Sequence, residues 1–125
     1  MDKNIVLLEG LIGDDFKYKK TVDGIEYATF TILMQMYSKA TKEMENEKGR
    51  SNAQTMIRIF VYDKRLVEYL HKVDAKRGQR VSVFGRLSSL RMEYKGVSYI
   101  ANNVSCRDIT IIKTQKENQN GELQG

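Results

Sequence analysis

The sequence predicts a small, mainly antiparallel β-barrel that carries one helix. Three observations support this prediction. Runs in which apolar and polar residues alternate, typical of strands, fill most of the chain. Two pairs that favour hairpin turns, Asp23-Gly24 and Lys95-Gly96, separate neighbouring runs. One stretch, which follows Asp63, has its apolar residues at helical spacing instead.

The first half of the chain predicts two strands and a loop. Asn4 to Ile12 is an apolar stretch bounded by turn residues, and it is the first strand. Asp23-Gly24 predicts a type I′ turn, because both central residues of that turn need a positive φ. The run from Ile25 to Tyr37 alternates and is the second strand. Ser38 to Ala53 is rich in charge and predicts a long solvated loop.

The second half predicts three further strands around the helix. Gln54 to Tyr62 is the third strand, Asp63 caps a helix that starts at Lys64, Gln79 to Leu90 is the fourth strand, and Ser98 to Ile112 is the fifth or a bent pair. A βαβ unit would also place a helix between strands, but the hairpin signals favour antiparallel pairing. Five strands with one helix between the third and the fourth is the element order of an OB-fold, a five-stranded Greek-key barrel.

Length and charge indicate one basic domain with a polar tail. The chain has 125 residues and a formal net charge of +5, from 21 Lys and Arg against 16 Asp and Glu. Residues 115–125 hold one lysine and two glutamates, so the remaining +6 lies on residues 1–114. We therefore expect residues 1–114 to form a basic OB-fold domain, and residues 115–125 to be a disordered polar tail.

Several classes of function are disfavoured by the residues present. The single cysteine, Cys106, excludes an internal disulfide and a Cys-cluster zinc site, and with His71 it gives too few ligands for structural zinc. Gly10-Leu11-Ile12-Gly13 lacks the third glycine of a dinucleotide fingerprint. No apolar run is long enough to span a membrane. We expect a cytoplasmic protein that is not an enzyme, with no catalytic residue, metal or cofactor.

The third strand carries the candidate binding face. A cation between planar or polarisable side chains suits single-stranded nucleic acid, since bases stack on the rings and the cation meets phosphate. On the fourth strand, Arg80, Phe84 and Arg86 lie opposite the core valines, and Tyr37 and Tyr94 lie near strand ends. The alternative is that the aromatic residues are packing residues, and the lysine cluster at 17, 19 and 20 is a weaker candidate. The face on the third strand consists of Met56, Arg58, Phe60 and Tyr62.

Four segments, in order along residues 3 to about 112, resemble the bacterial single-stranded DNA-binding protein family. They are Lys3 to Leu8 with Gly10-Leu11-Ile12-Gly13-Asp14-Asp15; Asp23-Gly24 with Ala28 to Ile32; Arg58 to Tyr62 with the helix that follows; and Gly78-Gln79-Arg80-Val81-Ser82-Val83-Phe84-Gly85-Arg86-Leu87. The resemblance implies an OB-fold that assembles as a homotetramer, wraps single-stranded DNA without sequence preference and catalyses no reaction.

The resemblance also implies roles for individual residues. Met56 and Met92 fall where the family has base-stacking tryptophans, and Tyr37 or Ser38 falls near a third such position. Tyr62 falls where a phenylalanine stacks a base, and Arg58 matches a basic residue. The acidic tip with a terminal Pro-Phe, which recruits other replication proteins, is absent, so recruitment by that route is not expected. These departures are typical of divergent members carried by phages or mobile elements.

Alternatives stay open at this point. The missing tryptophans are compatible with an OB-fold interaction subunit of a replication, primosome or DNA-transfer complex that has weak or no affinity for DNA. RNA in place of DNA and a dimer in place of a tetramer are also compatible with the sequence.

Overall fold

The computed structural model describes residues 1–35 and 54–112, which form six strands and one helix. Tyr37, the loop predicted from Ser38 to Ala53 and the tail predicted over residues 115–125 lie outside the described residues. The elements in chain order are β1 Val6–Ile12, β2 Lys17–Lys20, β3 Glu26–Gln35, β4 Gln54–Val61, α1 Lys64–Lys72, β5 Arg80–Tyr94 and β6 Val97–Ile112.

The strands form one sheet that closes on itself, and the predicted OB-fold is confirmed. The strand order is β1-β5-β6-β4-β3-β2, and β1 also pairs with β3, which closes the barrel. Among the described strands, β4 and β6 are parallel and every other pairing is antiparallel. The sequence predicts five strands, whereas the structure adds β2. Three of the four residues of β2 are lysines, so its strand character comes from pairing with β3 rather than from an apolar pattern.

The two hairpin turns were located correctly, but the type predicted for the first one was wrong. In the β2–β3 turn positive φ is confined to Gly24, at 85°. The Gly24 amide donates to the Thr21 carbonyl at 2.9 Å, and the Thr21 amide donates to the Ile25 carbonyl at 2.9 Å. This is a three-residue loop that ends in a left-handed glycine. The β5–β6 turn has positive φ at both Lys95 (51°) and Gly96 (80°), as a type I′ turn requires.

The barrel interior is filled by the apolar faces of the strands. Side chains with almost no exposure include Phe30, Ile32, Ile59, Val61, Val81, Val83 and Val104. Cys106 is buried with them, as predicted from its place in the last strand. Leu87 continues the inward register of β5 but is 45% exposed, since β5 and β6 extend beyond the barrel as a projecting hairpin.

Helix α1 packs on the barrel through Val67 and Leu70, which are buried in the same core. Asp63 caps the helix as predicted, and its Oδ1 accepts the Arg65 amide at 2.8 Å. His71 is half-exposed near the end of the helix, and its ring stacks on Tyr18 with centroids 3.9 Å apart. The helix therefore covers the core on one side and leaves the outer side of β3 and β4 open.

Candidate nucleic-acid interface

The register of the sheet brings the predicted residues of β4 onto one surface. Side chains of directly opposed residues point to the same side of a sheet. Phe60 lies opposite Thr29 of β3, Arg58 lies opposite Thr31, and Met56 lies opposite Leu33. These side chains alternate with the buried Ile59 and Val61, so they point away from the core. We call this side of β2, β3, β4, β6 and β5 the outer face.

Three rings form a cluster on the outer face. Phe60 and Tyr62 have centroids 6.0 Å apart and nearly parallel planes, at 7°. Tyr27, from the start of β3, lies 5.2 Å from Tyr62 and 6.4 Å from Phe60. Tyr62 is 49% exposed, so its ring is accessible from solvent. We call Tyr27, Phe60 and Tyr62 the aromatic cluster.

Tyr62 contributes a neutral ring to the aromatic cluster. Partial burial, and in second place the neighbouring Tyr27, raises the pKa of Tyr62 above its ordinary value. The hydroxyl therefore stays protonated around neutral pH and adds no negative charge to the face. Neutral, exposed rings are the side chains on which bases stack.

Arg58 is held in place beside the cluster by Asp14. The Arg58 Nη1 lies 3.6 Å from Asp14 Oδ2, and both side chains are about one-third exposed. Asp14 in turn accepts the Thr31 amide at 2.7 Å through Oδ1 and the Thr31 hydroxyl at 3.3 Å through Oδ2. In the sequence Asp14 is one of the turn residues that follow the first strand. Its position directly after the first strand was the available signal, but the contact with Arg58 depends on the β3–β4 register.

Arg86 extends the basic part of the face across two further strands. Ser105 of β6 lies beside Phe60 in the parallel β4–β6 pair, and Arg86 of β5 lies opposite Ser105. Arg86 is exposed, and its side chain forms no ion pair or hydrogen bond with any residue in 1–35 or 54–112. One row of the sheet thus carries Lys17, Thr29, Phe60, Ser105 and Arg86 from β2 to β5.

The structure does not bring Arg80 and Phe84 to the aromatic cluster. Arg80 is six residues from Arg86 along β5, or about 20 Å. Its Nη2 lies 3.2 Å from Glu9 Oε2. Phe84 lies opposite Leu7 of β1 and is 38% exposed. Both point outward on the same side of β5 as Arg86, but neither side chain contacts a ring of the aromatic cluster in the described residues.

The projecting hairpin continues the outer face beyond the barrel. Met92 lies opposite Tyr99, and Tyr94 lies opposite Val97. All four are at least 40% exposed, and their alternation places them on the same side as Arg86. The Lys95 Nζ lies 5.4 Å from the centroid of the Tyr94 ring. The hairpin therefore presents an exposed apolar stripe that runs on from Arg86.

Comparison with known proteins identifies the family. The sequence model of the single-strand binding protein family matches residues 3–119. The chain belongs to the single-strand binding protein family. This membership confirms the resemblance found in the sequence.

Solved structures of single-strand binding proteins have the same fold. A Plasmodium falciparum protein, solved as an SSB complex with ssDNA, is similar with a TM-score of 0.74 and 21% identity, over 90% of this chain and 97% of that one. The mitochondrial single-stranded DNA binding protein Rim1 from S. cerevisiae is similar with a TM-score of 0.70 and 18% identity, over 90% and 98% of the two chains. No curated protein sequence matches the chain significantly.

Sequence reasoning missed one member of the face in this single-strand binding protein. In the sequence Tyr27 lies on the more polar side of the run from Ile25 to Tyr37, and only the pairing of β3 with β4 shows that it joins Tyr62 and Phe60. The lysines at 17 and 19 are the weaker candidates in the sequence, because such clusters are more often simply solvated, and the structure places them on β2. The signal for Tyr27 was its alternation with Thr29 and Thr31, which already placed it opposite to the core side.

Other chemically interesting groups in the described ranges lie off this face. Cys106 is buried, and burial raises the pKa of its thiol to about 12. Residues 1–35 and 54–112 contain no group of three or more His, Cys, Asp and Glu side chains placed to hold a metal ion. Over the same residues, no helix has the length and hydrophobicity needed to cross a membrane.

Proposed function

We propose that this chain is a sequence-nonspecific single-stranded DNA-binding protein that coats and protects DNA strands during replication, recombination or repair. The observation that carries this proposal is the aromatic cluster, flanked by Arg58 and Arg86, on an open strand face in a member of the single-strand binding family. The complex of the similar Plasmodium falciparum protein with ssDNA supports it. Family membership favours this function over that of a subunit acting through protein contacts alone.

The face binds through stacking and charge. Bases stack on Phe60 and Tyr62, at about 1–3 kcal/mol per base, and Arg58 and Arg86 contact phosphates. Stacking uses the flat side of a base, which every base has, and leaves the edges that carry sequence unread. Met56, at 65% exposure, provides a polarisable contact at the next outward position of β4. This combination accounts for binding without sequence preference.

The protein acts by binding, without a catalytic step or a cofactor, and we place it in the cytoplasm with the single strands that it covers. We also propose that it is a homo-oligomer, a tetramer as in the resembling family or a dimer. The edge of β1 away from β5 pairs with β3 only at Leu11 and Ile12, which leaves much of that strand edge available in the described chain. Leu7 on the same strand is 74% exposed. Light scattering of the purified protein tests the assembly.

The function is tested by fluorescence anisotropy with a labelled oligo(dT) of about 30 nucleotides, longer than the ~4–16 nucleotides that one OB-fold covers. We expect tight binding at low salt, with competition by unlabelled mixed-sequence single strands but not by duplex. Affinity should fall with salt, with a slope of about −0.7 per phosphate neutralised. An RNA oligomer of equal length gives the preference between DNA and RNA. Failure to bind at micromolar protein would overturn the proposal and favour the interaction subunit.

A further inference from the structure

Strand β2 places two lysines on the outer face beside the aromatic cluster. Lys17 lies opposite Thr29, whose other neighbour in the row is Phe60. Lys19 lies opposite Tyr27, which contacts Tyr62. Side chains alternate along a strand, so Lys17 and Lys19 point to the same side, about 7 Å apart along β2. Lys20, opposite Glu26, points to the other side.

Neither lysine is neutralised by the described part of the chain. Lys17 and Lys19 are exposed and form no ion pair with residues in 1–35 or 54–112. Arg58 and Arg80 differ, since Asp14 and Glu9 pair with them. The two ammonium groups are therefore available to an external anion at the edge of the sheet.

Tyr27 connects the lysines to the aromatic cluster. Its ring is tilted by 34° from Tyr62 and by 38° from Phe60. It is half-buried, so part of the ring remains open to solvent. Thr29, between Lys17 and Phe60, is buried and donates its hydroxyl to the Ile59 carbonyl at 2.9 Å. The buried Thr29 hydroxyl thus has its hydrogen-bond partner within the sheet, and accessible rings and cations surround it.

We propose that bound single-stranded DNA continues from the aromatic cluster onto β2, where Tyr27 stacks a base and Lys17 and Lys19 bind successive phosphates. This inference rests on the proposed function and adds a subsite to it. It gives the DNA a course across the barrel, from Arg86 on β5 past Phe60 and Tyr62 to the edge strand. The ligand is the sugar–phosphate backbone and one base, without a sequence requirement.

The lysines are tested by the salt dependence of oligo(dT) binding. The double variant Lys17→Gln/Lys19→Gln should bind more weakly at low salt, and the slope of log affinity against log salt should become shallower by about 1.4, at ~0.7 per phosphate contact. Lys20→Gln is the control. It removes one positive charge from the same strand, on the side that faces away from the outer face. Its slope should stay close to that of the wild-type protein.

Two substitutions of Tyr27 separate the effect of its aromatic ring on binding from the effect of its apolar volume. Tyr27→Leu should weaken oligo(dT) binding by about 5- to 150-fold, the equivalent of one stacked base. Tyr27→Phe keeps the ring and should bind like the wild-type protein. Thermal melting of both variants separates a loss of stacking from a loss of fold, and Tyr62→Leu provides the reference for a ring within the proposed face.

The outcomes distinguish this subsite from the function on which it rests. If the wild-type protein binds oligo(dT) and Tyr62→Leu weakens binding, while Tyr27→Leu and the double lysine variant behave like the wild-type protein, the extension onto β2 is wrong and the function stands. If the wild-type protein does not bind, both are wrong. If the double lysine variant loses no more slope than Lys20→Gln, the lysines are not phosphate contacts.

Discussion

Asp14 shows how one side chain links the fold to the binding face. It follows strand β1 and reaches β3, where it accepts two hydrogen bonds from Thr31. Its Oδ2 also lies 3.6 Å from Arg58, the cation nearest to the middle of β4. A single carboxylate therefore adds hydrogen bonds where β1 meets β3 and contacts a guanidinium on the outer face.

Removal of the Asp14 carboxylate should destabilise the fold. In Asp14→Ala the Thr31 amide loses its acceptor, so we expect the free energy of unfolding to fall by about 1–3 kcal/mol. Urea denaturation followed by circular dichroism measures this. Asp15→Ala is the matched control, because Asp15 forms no hydrogen bond or ion pair with the described residues, and it should change stability by less than about 0.5 kcal/mol. Equal losses in the two variants would contradict this role for Asp14.

The projecting β5–β6 hairpin carries apolar side chains that do not pack in the core. The side of the hairpin that also carries Arg86 presents Met92, Tyr94, Val97 and Tyr99. The opposite side presents Ile100, which is 63% exposed. An apolar stripe that continues a basic, aromatic face is suited to further bases of a bound strand. Since these side chains bury little surface in the monomer, changing them should leave its stability nearly unchanged.

Substitutions on the two sides of the β5–β6 hairpin test which side binds the DNA strand. Met92→Ser/Tyr94→Ser should weaken oligo(dT) binding by about 1–3 kcal/mol, the value of one stacked base, with an unchanged melting temperature. Ile100→Ser removes an exposed apolar side chain from the opposite side and should bind like the wild-type protein. Anisotropy titrations and thermal melting give both quantities. A larger loss of affinity in Ile100→Ser than in the double variant would show that the hairpin binds through its other side.

Asp63, at the start of helix α1, should make the stability of the fold depend on pH. The hydrogen bonds and charge of Arg65 lower the pKa of Asp63 below its ordinary value of 3.8. A lowered pKa in the folded state means that this carboxylate stabilises the fold above pH 3.8, and that its contribution disappears as the pH falls through the folded-state pKa. Asp63→Ala should therefore melt at a lower temperature than the wild-type protein at neutral pH, and the difference should shrink in acid.

Asp63→Asn is the control for that pH effect. Asparagine caps a helix nearly as well as aspartate but carries no charge. This variant should stay closer to the wild-type melting temperature at neutral pH than Asp63→Ala does. A constant difference between Asp63→Ala and the wild-type protein down to pH 2 would show that the charge on Asp63 does not contribute.

At the scale of the whole molecule, the barrel could be predicted from the sequence because local signals agreed. Alternation in β3, β4 and β5, the cap at Asp63 and the turns at residues 23–24 and 95–96 together specify an OB-fold. The outward positions of Arg58, Phe60 and Tyr62 followed from the same alternation. Burial of Cys106 also followed, from its place in the last strand.

Features that depend on pairing between distant strands could not be predicted. Strand β2 exists because it pairs with β3, and its lysines give no periodic signal. Tyr27 meets Tyr62 only through the β3–β4 register, which the residues between these strands do not reveal. The distance of Arg80 from the aromatic cluster depends on the β5–β6 register, which places Arg86, six residues further along β5, in the row of Phe60.

The central claim is that single-stranded DNA lies across the outer face, on the aromatic cluster. It is tested most directly by photocrosslinking the full chain to an oligo(dT) that carries 5-iododeoxyuridine, followed by mass spectrometry of the adducts. We predict adducts on Phe60 or Tyr62, because a base stacked on these rings places its reactive carbon against them. Tyr18 stacks on His71 of helix α1 and Tyr69 belongs to that helix, so both lie off the outer face. Adducts on these two residues, with none on Phe60 or Tyr62, would contradict the account.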